Sequence, residues 1–459
     1  MWKLILVGCG ICGAYFAGRV GVWKLKEQVA KNAAGAESSP MTVIAKGVLC
    51  VQDHIGPWSA ADVVLGLAAM AKITENDPME IPGHPSDLAS DPEFMVRAQH
   101  WRAMAEAVYV ADPASFSLFS HLPESSIVTA VWNPEQESMR PAFALSVDHS
   151  YGALVLSVRG TSHVIDILVS AGAMPAPFES GHAHGGFARA TDALLEEVRP
   201  HIRQVLQEDS CLEKLVIVGH SMGAAVGIMC GLKLRDEHRN LECWGFSVPA
   251  SVSLELAKEC ASFATSFVCL HDVVPRFSVA SIEDLRKRVC NFDWKRADEI
   301  AKHDEDWEKI SRAVDAMQMF QRAQDNVDDF GSRVCSELSG GGPSEQKQGS
   351  SCEEGKCEGE SSIEKKGPVV LYPPGRLLVL SSSPPGCGVT PGQRSGVAEQ
   401  RNYGAFPTFE QAKNVEWTMH EASPDEFSQM ILSPWAVSDH VLGNVCEGIN
   451  FFVKKSRKK

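Results

Sequence analysis

Gly219-His220-Ser221-Met222-Gly223 fits the pattern Gly-x-Ser-x-Gly. Attack on a carbonyl carbon needs a hydroxyl held clear of the backbone on a sharp turn. Glycines two before and two after the serine leave room for that turn. The pentapeptide alone is common by chance, but its context is not. Lys214–Val218 reads KLVIV, a short apolar strand of the kind buried in a parallel sheet, and Ser221–Arg235 reads as a helix that opens on small residues. A helix beginning there brings backbone N–H groups and a positive dipole end to the place where an oxyanion would develop. Ser221 is therefore the candidate nucleophile.

A serine hydroxyl needs a histidine as base and a carboxylate to orient that histidine. After a nucleophile of this kind the acid and then the histidine follow later in the chain, each just past a strand. Asp272 lies just after the strand Ser266–Leu270, in His271-Asp272-Val273-Val274-Pro275-Arg276. Asp284 is a rival whose neighbours read as a surface helix. His440 lies near the C-terminus in Ser438-Asp439-His440, and His420, in a strand or at its edge, is the rival base. His303 falls in a charged insertion and is set aside. An oxyanion hole would take one N–H from Met222, the residue after the serine. It would take a second from the loop after an earlier strand, Ala153–Val158, where Thr161 offers an N–H and a hydroxyl.

The elements that must position these residues alternate. Phe143–Val147 and Ala153–Val158 flank Tyr151-Gly152 and read as a hairpin. Phe187–Gln207 is an amphipathic helix, and Cys243–Val248 and Ser266–Leu270 are further strands. Upstream, Trp58–Thr74 and Glu93–Ala111 read as helices; downstream, Val369–Leu371 and Arg376–Ser381 read as strands resuming the sheet. Strands alternating with helices predict an α/β fold with a mostly parallel central sheet and helices on both faces.

The predicted organisation is an apolar N-terminal segment (1–26), a helical region (27–127), a first part of the core (128–282), an insertion (283–367), and a second part of the core with a basic tail (368–459). Within the insertion, 297–338 is helical and highly charged. The stretch 339–366 has almost no apolar residues and cannot offset its ordering entropy. Leu4–Val22 is apolar except for Arg19, about the length of a membrane anchor. Cys9 and Cys12 would then be plausible acylation sites. Gly8-Cys9-Gly10-Ile11-Cys12-Gly13 formally matches a dinucleotide-binding motif, but no second strand ending in an acidic residue follows it. The net charge of -15 points away from nucleic acid as a partner. The 14 cysteines, mostly inside apolar runs, fit reduced buried thiols in a cytosol-facing protein.

Taken together, Val158-Arg159-Gly160-Thr161, His184-Gly185-Gly186-Phe187, Gly219–Gly223, Asp272–Arg276 and Ser438–His440 resemble the class 3 lipases. The segment Leu371-Tyr372-Pro373-Pro374-Gly375-Arg376, with a long insertion before it, is most similar to the sn-1-specific diacylglycerol lipases. The resemblance covers roughly 128–282 and 368–444 and is specific in the order of its motifs. It implies an α/β-hydrolase fold, with Ser221 as nucleophile, Asp272 as acid, His440 as base, and Met222 and Thr161 as oxyanion donors. It implies a glycerolipid substrate met at a membrane surface. No metal or cofactor is required by this chemistry, although the resemblance leaves calcium open. It also implies a lid at Val164–Met174, an almost wholly apolar run in which Asp166 could serve as an anchor. Two other classes of function remain at this point: a soluble esterase or thioesterase for small acyl substrates, and a catalytically silent membrane-tethered scaffold.

Overall fold

Side chains alternate along Lys214–His220 so that Leu215 and Ile217 enter one hydrophobic layer and Val216 and Val218 the other. A strand apolar on both sides needs cover on both sides, and this one lies near the middle of a sheet with helices on each face. The computed structural model describes residue 70 and residues 80–110, 112–134, 140–161, 174–291, 369–383, 415–433, 435–436 and 438–457. The chain divides into two units, Met1–Phe292 with Pro368–Lys459, and Asp293–Gly367. The second unit, the apolar segment 4–22 and the helix expected at 58–74 (apart from Met70) lie outside the described residues.

In chain order the strands are β1 (His84–Pro85), β2 (Ile127–Val131), β3 (Phe143–Asp148), β4 (Ala153–Val158), β5 (Pro175–Phe178), β6 (Gly181–His184), β7 (Lys214–His220), β8 (Leu241–Phe246), β9 (Ala264–Cys269), β10 (Arg376–Ser383) and β11 (Glu416–Ala422). Among the described residues, nine of them form one sheet in the order β1-β11-β10-β9-β8-β7-β4-β3-β2. The pairs from β4 through β7, β8 and β9 to β10 are parallel, and both flanks are antiparallel. β5 and β6 form a separate hairpin.

The helices are α1 (Pro92–Ala107), α2 (Pro113–Ser120), α3 (Gly185–Glu208), α4 (Met222–Leu234), α5 (Leu254–Glu259), α6 (Val279–Cys290) and α7 (Leu442–Ser456). One face of the sheet is covered by α3 and α4, with Phe187, Leu194, Val198 and Ile202 packed over Leu154, Leu156, Leu215 and Ile217. The other is covered by α1 and α7, with Trp101, Met104, Ile449 and Phe452 over Val216, Val218, Phe246 and Phe267. His100 on α1 bonds to the buried Asp148 at the end of β3 at 2.7 Å, and its ring stacks on Tyr151.

Three sequence expectations shift. The helix expected over 93–111 stops at Ala107, because Asp112 is extended ahead of Pro113 and caps a second helix through Ser115 N–H. No strand forms at 369–371. Instead Tyr372 makes an isolated bridge to Val252, which bridges in turn to Ala183 of β6. The Tyr-Pro-Pro-Gly segment thus ties the chain returning after position 368 to the hairpin. Gly375, at φ +99, turns it into β10, and Ser266 donates to the Pro374 carbonyl at 2.7 Å. α6 runs across position 283, so the first unit continues past the boundary expected for the insertion.

Candidate active site

In a parallel sheet all carboxyl ends lie along one edge, and residues that follow the strands gather there. Ser221 follows β7, Asp272 follows β9, and Gly160-Thr161 follow β4. β8 separates β7 from β9. At about 4.8 Å per strand the serine and the acid emerge roughly 10 Å apart, a gap that one imidazole between two side chains can bridge.

His440 fills that gap. It sits on the single turn Ser438–His440 just before α7 and is 1% exposed. Its Nε2 lies 2.8 Å from Ser221 Oγ, and its Nδ1 lies 2.9 Å and 3.1 Å from the two oxygens of Asp272. The carboxylate can only accept, so Nδ1 carries the proton and Nε2 accepts from the hydroxyl. Asp272 is also buried, and its Oδ1 accepts the Val274 N–H at 2.9 Å, which fixes the carboxylate's plane. The constellation is in hydrogen-bond register: hydroxyl, imidazole and carboxylate in line. The rivals stand elsewhere. Asp284 pairs with Arg288 on α6, and His420 lies in β11 opposite Val379.

The turn at Ser221 is strained. Its φ is 59° and ψ is -129°, a conformation that non-glycine residues rarely adopt and that costs about 1–3 kcal/mol. Its N–H donates to Phe246 O at 2.8 Å, which pins the turn to the end of β8. The two glycines are needed for close approach. A Cβ on Gly219 would lie 2.5 Å from the Gly223 carbonyl, and one on Gly223 would lie 2.2 Å from the Val158 oxygen. The start of α4 is therefore pressed directly against the end of β4. This contact brings Met222, whose N–H is in the first turn of a helix and has no intrahelical acceptor, beside the Arg159–Thr161 turn. A Cβ on Gly160 would lie 3.2 Å from the Ser221 Cβ, so that turn borders the serine. The expected lid residues 164–173, with Asp166, lie outside the described residues.

Several residues that sequence reasoning left without a role surround this centre. His220 is aimed away from the serine hydroxyl. Its Nε2 donates to the His440 carbonyl at 3.1 Å, and its Nδ1 accepts from Tyr109 Oη at 2.9 Å. Burial, helped by neighbouring His440, pushes the His220 pKa down to about 3, so the ring is neutral. Burial likewise drives the Tyr109 phenol upward, against the Gly160 N–H that it accepts. His271 accepts from Ser433 Oγ at 2.9 Å, and burial pushes it down to about 4. Arg276 is buried over the Phe427 ring and donates to the Glu426 carbonyl at 3.0 Å. His184, in the quoted His-Gly-Gly-Phe segment, caps α3 by accepting the Phe187 N–H at 3.2 Å. His220 and Asp439 carried a signal, since each adjoins a predicted site residue. Tyr109 carried none, because its side chain reaches the site from the end of α1.

Among the described residues no three His, Cys, Asp or Glu side chains converge so as to hold a metal ion. No residue is therefore assigned to the calcium that the resemblance leaves open. The seven described cysteines (Cys211, Cys230, Cys243, Cys260, Cys269, Cys290 and Cys446) are free thiols, four of them buried.

A mostly parallel sheet with helices on both faces, a strained serine elbow after a central strand, and acid and histidine on later loops define the α/β-hydrolase fold. Within that class, residues 155–281 match the class 3 lipase family. Among relatives, the mouse (Mus musculus) diacylglycerol lipase-beta is 30% identical over 163 residues, 32% of this chain and 23% of that protein. The rat (Rattus norvegicus) diacylglycerol lipase-alpha is 24% identical over 333 residues, 69% of this chain and 28% of that protein. The chain thus spans about a quarter of the length of these two relatives. A secreted mono- and diacylglycerol lipase of Penicillium cyclopium is 26% identical over 144 residues, 30% of this chain and 47% of that protein. A solved lipase from Rhizopus microsporus var. chinensis aligns over 44% of this chain and 75% of its own, at 15% identity and a TM-score of 0.36.

Proposed function

We propose that the chain is a serine lipase that hydrolyses carboxylic esters of glycerolipids, with diacylglycerol as the preferred substrate and a monoacylglycerol and a fatty acid as products. The observation that carries the reading is the line from Ser221 Oγ through His440 to Asp272, with 2.8 Å and 2.9 Å contacts. In the proposed reaction His440 takes the Ser221 proton as Oγ bonds to the ester carbonyl carbon. The N–H groups of Met222 and Thr161 hold the oxyanion, each such donor lowering the barrier by about 3 kcal/mol. Collapse of the tetrahedral species breaks the ester C–O bond, and His440 gives its proton to the leaving glyceride alcohol. Water, deprotonated by His440, then releases the fatty acid and restores the serine. Asp272 keeps the Nδ1–H tautomer and stabilises the imidazolium.

Attachment to a membrane surface, with the catalytic unit facing the cytosol, is part of the proposal. It rests on the apolar run Leu4–Val22 and the basic C-terminal tail. No helix among the described residues is long and apolar enough to cross a membrane.

The test is fatty-acid release by the purified protein from diacylglycerol, triacylglycerol and phosphatidylcholine in matched micelles, with Ser221→Ala as the blank. Release mainly from diacylglycerol that vanishes in Ser221→Ala is the expected result. Serine-independent release, or none from any glycerolipid, overturns the proposal.

A further inference from the structure

Two dipeptides face each other across the acid side of the site: His271-Asp272 on the loop after β9, and Asp439-His440 ahead of α7. One crossing is the contact of Asp272 with His440. The other runs from the His271 N–H to Asp439 Oδ2 at 3.2 Å. Asp439 is 6% exposed, and its second oxygen accepts Asn444 Nδ2 at 3.2 Å, on the first turn of α7. Its own N–H donates to Trp435 O at 2.9 Å. Beside it, the Ser433 hydroxyl donates to His271 Nδ1 and accepts the Trp435 N–H, and Val273 N–H donates to Ala436 O. The loop carrying the acid and the segment carrying the histidine are thus laced together over residues 433–440. Asp439 is the one carboxylate in that lacing that does not touch the imidazole.

We propose that Asp439 is a positioning residue for the triad: by accepting the His271 N–H and the Asn444 amide together, it sets the separation between the Asp272 loop and the His440 turn. This rests on the reading of Ser221, His440 and Asp272 as the catalytic set.

Three arguments carry it. One accepted bond ties Asp439 to the Asp272 loop and the other ties it to the first turn of α7, so losing them loosens the Asp272 loop against the His440 turn. The 2.9 Å contact of Asp272 with His440 spans loops that belong to β9 and to the segment before α7, which are 168 residues apart in the chain. Such a contact is only as precise as whatever ties those two loops together. Finally, a carboxyl in that place is costly. Burial raises its pKa to about 7 against the opposing His271 N–H, and Asp272 adds a further push upward. An apolar residue would avoid this cost but could not accept both N–H groups.

The test compares Asp439→Ala, Asp439→Asn and the swap Asp439→Asn with Asn444→Asp. The single asparagine keeps one acceptor for the His271 N–H and loses the other. The swap keeps the His271 N–H contact and restores the contact with position 444 with donor and acceptor exchanged. Turnover is measured per active site titrated with a fluorophosphonate, together with KM. Asp439→Ala is expected to lower kcat roughly 10- to 100-fold, the range associated with ångström-scale misplacement, with KM within about twofold of wild type. The swap is expected to return to within about threefold of wild type.

A second readout is the downfield proton resonance of His440 Nδ1–H in its bond to Asp272, which needs no substrate. It should be present in the wild type and in the swap, and broadened or shifted in Asp439→Ala. Should the alanine variant not fold, Asp439→Asn carries the same comparison. A variant that melts earlier but keeps wild-type kcat and an unmoved resonance overturns the inference, as does a swap no better than either single change. If the wild type itself shows no Ser221-dependent turnover, the functional reading fails, and the resonance alone decides the positioning claim.

Discussion

Gly223→Ala tests how the elbow is built, because the space it needs belongs to the backbone. The added Cβ would lie 2.2 Å from the Val158 oxygen and 2.7 Å from the Arg159 carbonyl carbon. Ordinary contact begins near 3.4 Å, so the shortfall to the Val158 oxygen exceeds an ångström. No rotamer relieves it, since both atoms are main chain. Either the start of α4 lifts away from the sheet, or the Arg159–Thr161 turn moves off the serine. Overpacking of this kind costs about 1–3 kcal/mol or more. Against it stands the gain of about 1 kcal/mol for alanine over glycine inside a helix.

Gly227, one turn further along α4, is the internal control. Its Cβ would meet only the Ile217 methyl at 3.0 Å and Val158 Cγ2 at 3.9 Å, and side-chain ends can give by tenths of an ångström. Gly227→Ala should therefore change stability by less than about 1 kcal/mol and leave turnover near wild type. Gly223→Ala should lower kcat on the order of 100-fold, because the oxyanion donors and the nucleophile can no longer share one geometry. Thermal unfolding and diacylglycerol hydrolysis on both variants are the assays. A Gly223→Ala protein with wild-type turnover and an unchanged melting temperature would refute the account of the elbow.

The other predictions concern the groups behind the triad. Tyr109→Phe removes the donor to His220 Nδ1 and the acceptor of the Gly160 N–H. It should cost about 1–3 kcal/mol in urea unfolding while Ser221→Ala leaves stability nearly unchanged. His220 has a folded pKa of about 3 against an ordinary 6.5, so the native state binds fewer protons there than the unfolded chain. Stability present above pH 6.5 is therefore lost as the pH falls from 6.5 toward 3. Replacing His220 by glutamine should flatten the fall in melting temperature between pH 7 and pH 5, and an equally steep fall in the variant would count against a neutral buried ring.

The sequence announces the parts of this molecule that repeat a local rule. Lys214–Val218 is a strand because every interior position is apolar, and β7 extends it only to His220. The hairpin of β3 and β4 follows from alternating runs about Tyr151-Gly152, and α3 from its 3.6-residue stripe. That Ser221, Asp272 and His440 meet was legible because an elbow of this kind dictates the order of its partners and the strands they follow. What escaped is contact between elements far apart in the chain. The phenol of Tyr109 meets His220 across 111 positions, and Asp439 meets His271 across 168. No local periodicity encodes either meeting. The strand expected at 369–371 failed for a related reason. Val369–Leu371 has the composition of a strand, but Pro373 and Pro374 cannot donate to a ladder, so Tyr372 contributes a single bridge.

These distant contacts also explain how two histidines can sit side by side with different work. The rings of His220 and His440 are 5.4 Å apart, with His440 buried and His220 partly so. If either ring could take the proton of Ser221, the charge would be shared and the base would lose definition. The hydrogen bonds prevent that. The His440 carbonyl can only accept, so His220 must keep its proton on Nε2, and the Tyr109 hydroxyl then occupies Nδ1. Protonating His220 would reverse the Tyr109 contact, turning Nδ1 from acceptor to donor, and place a cation beside His440. Asp272 orients the other ring: its carboxylate faces the proton-bearing Nδ1 of His440 and leaves Nε2 turned to the Ser221 hydroxyl. The same carbonyl that locks the neutral ring belongs to the residue proposed to take the Ser221 proton, so His220 excludes itself as a rival base and holds the His440 backbone in place.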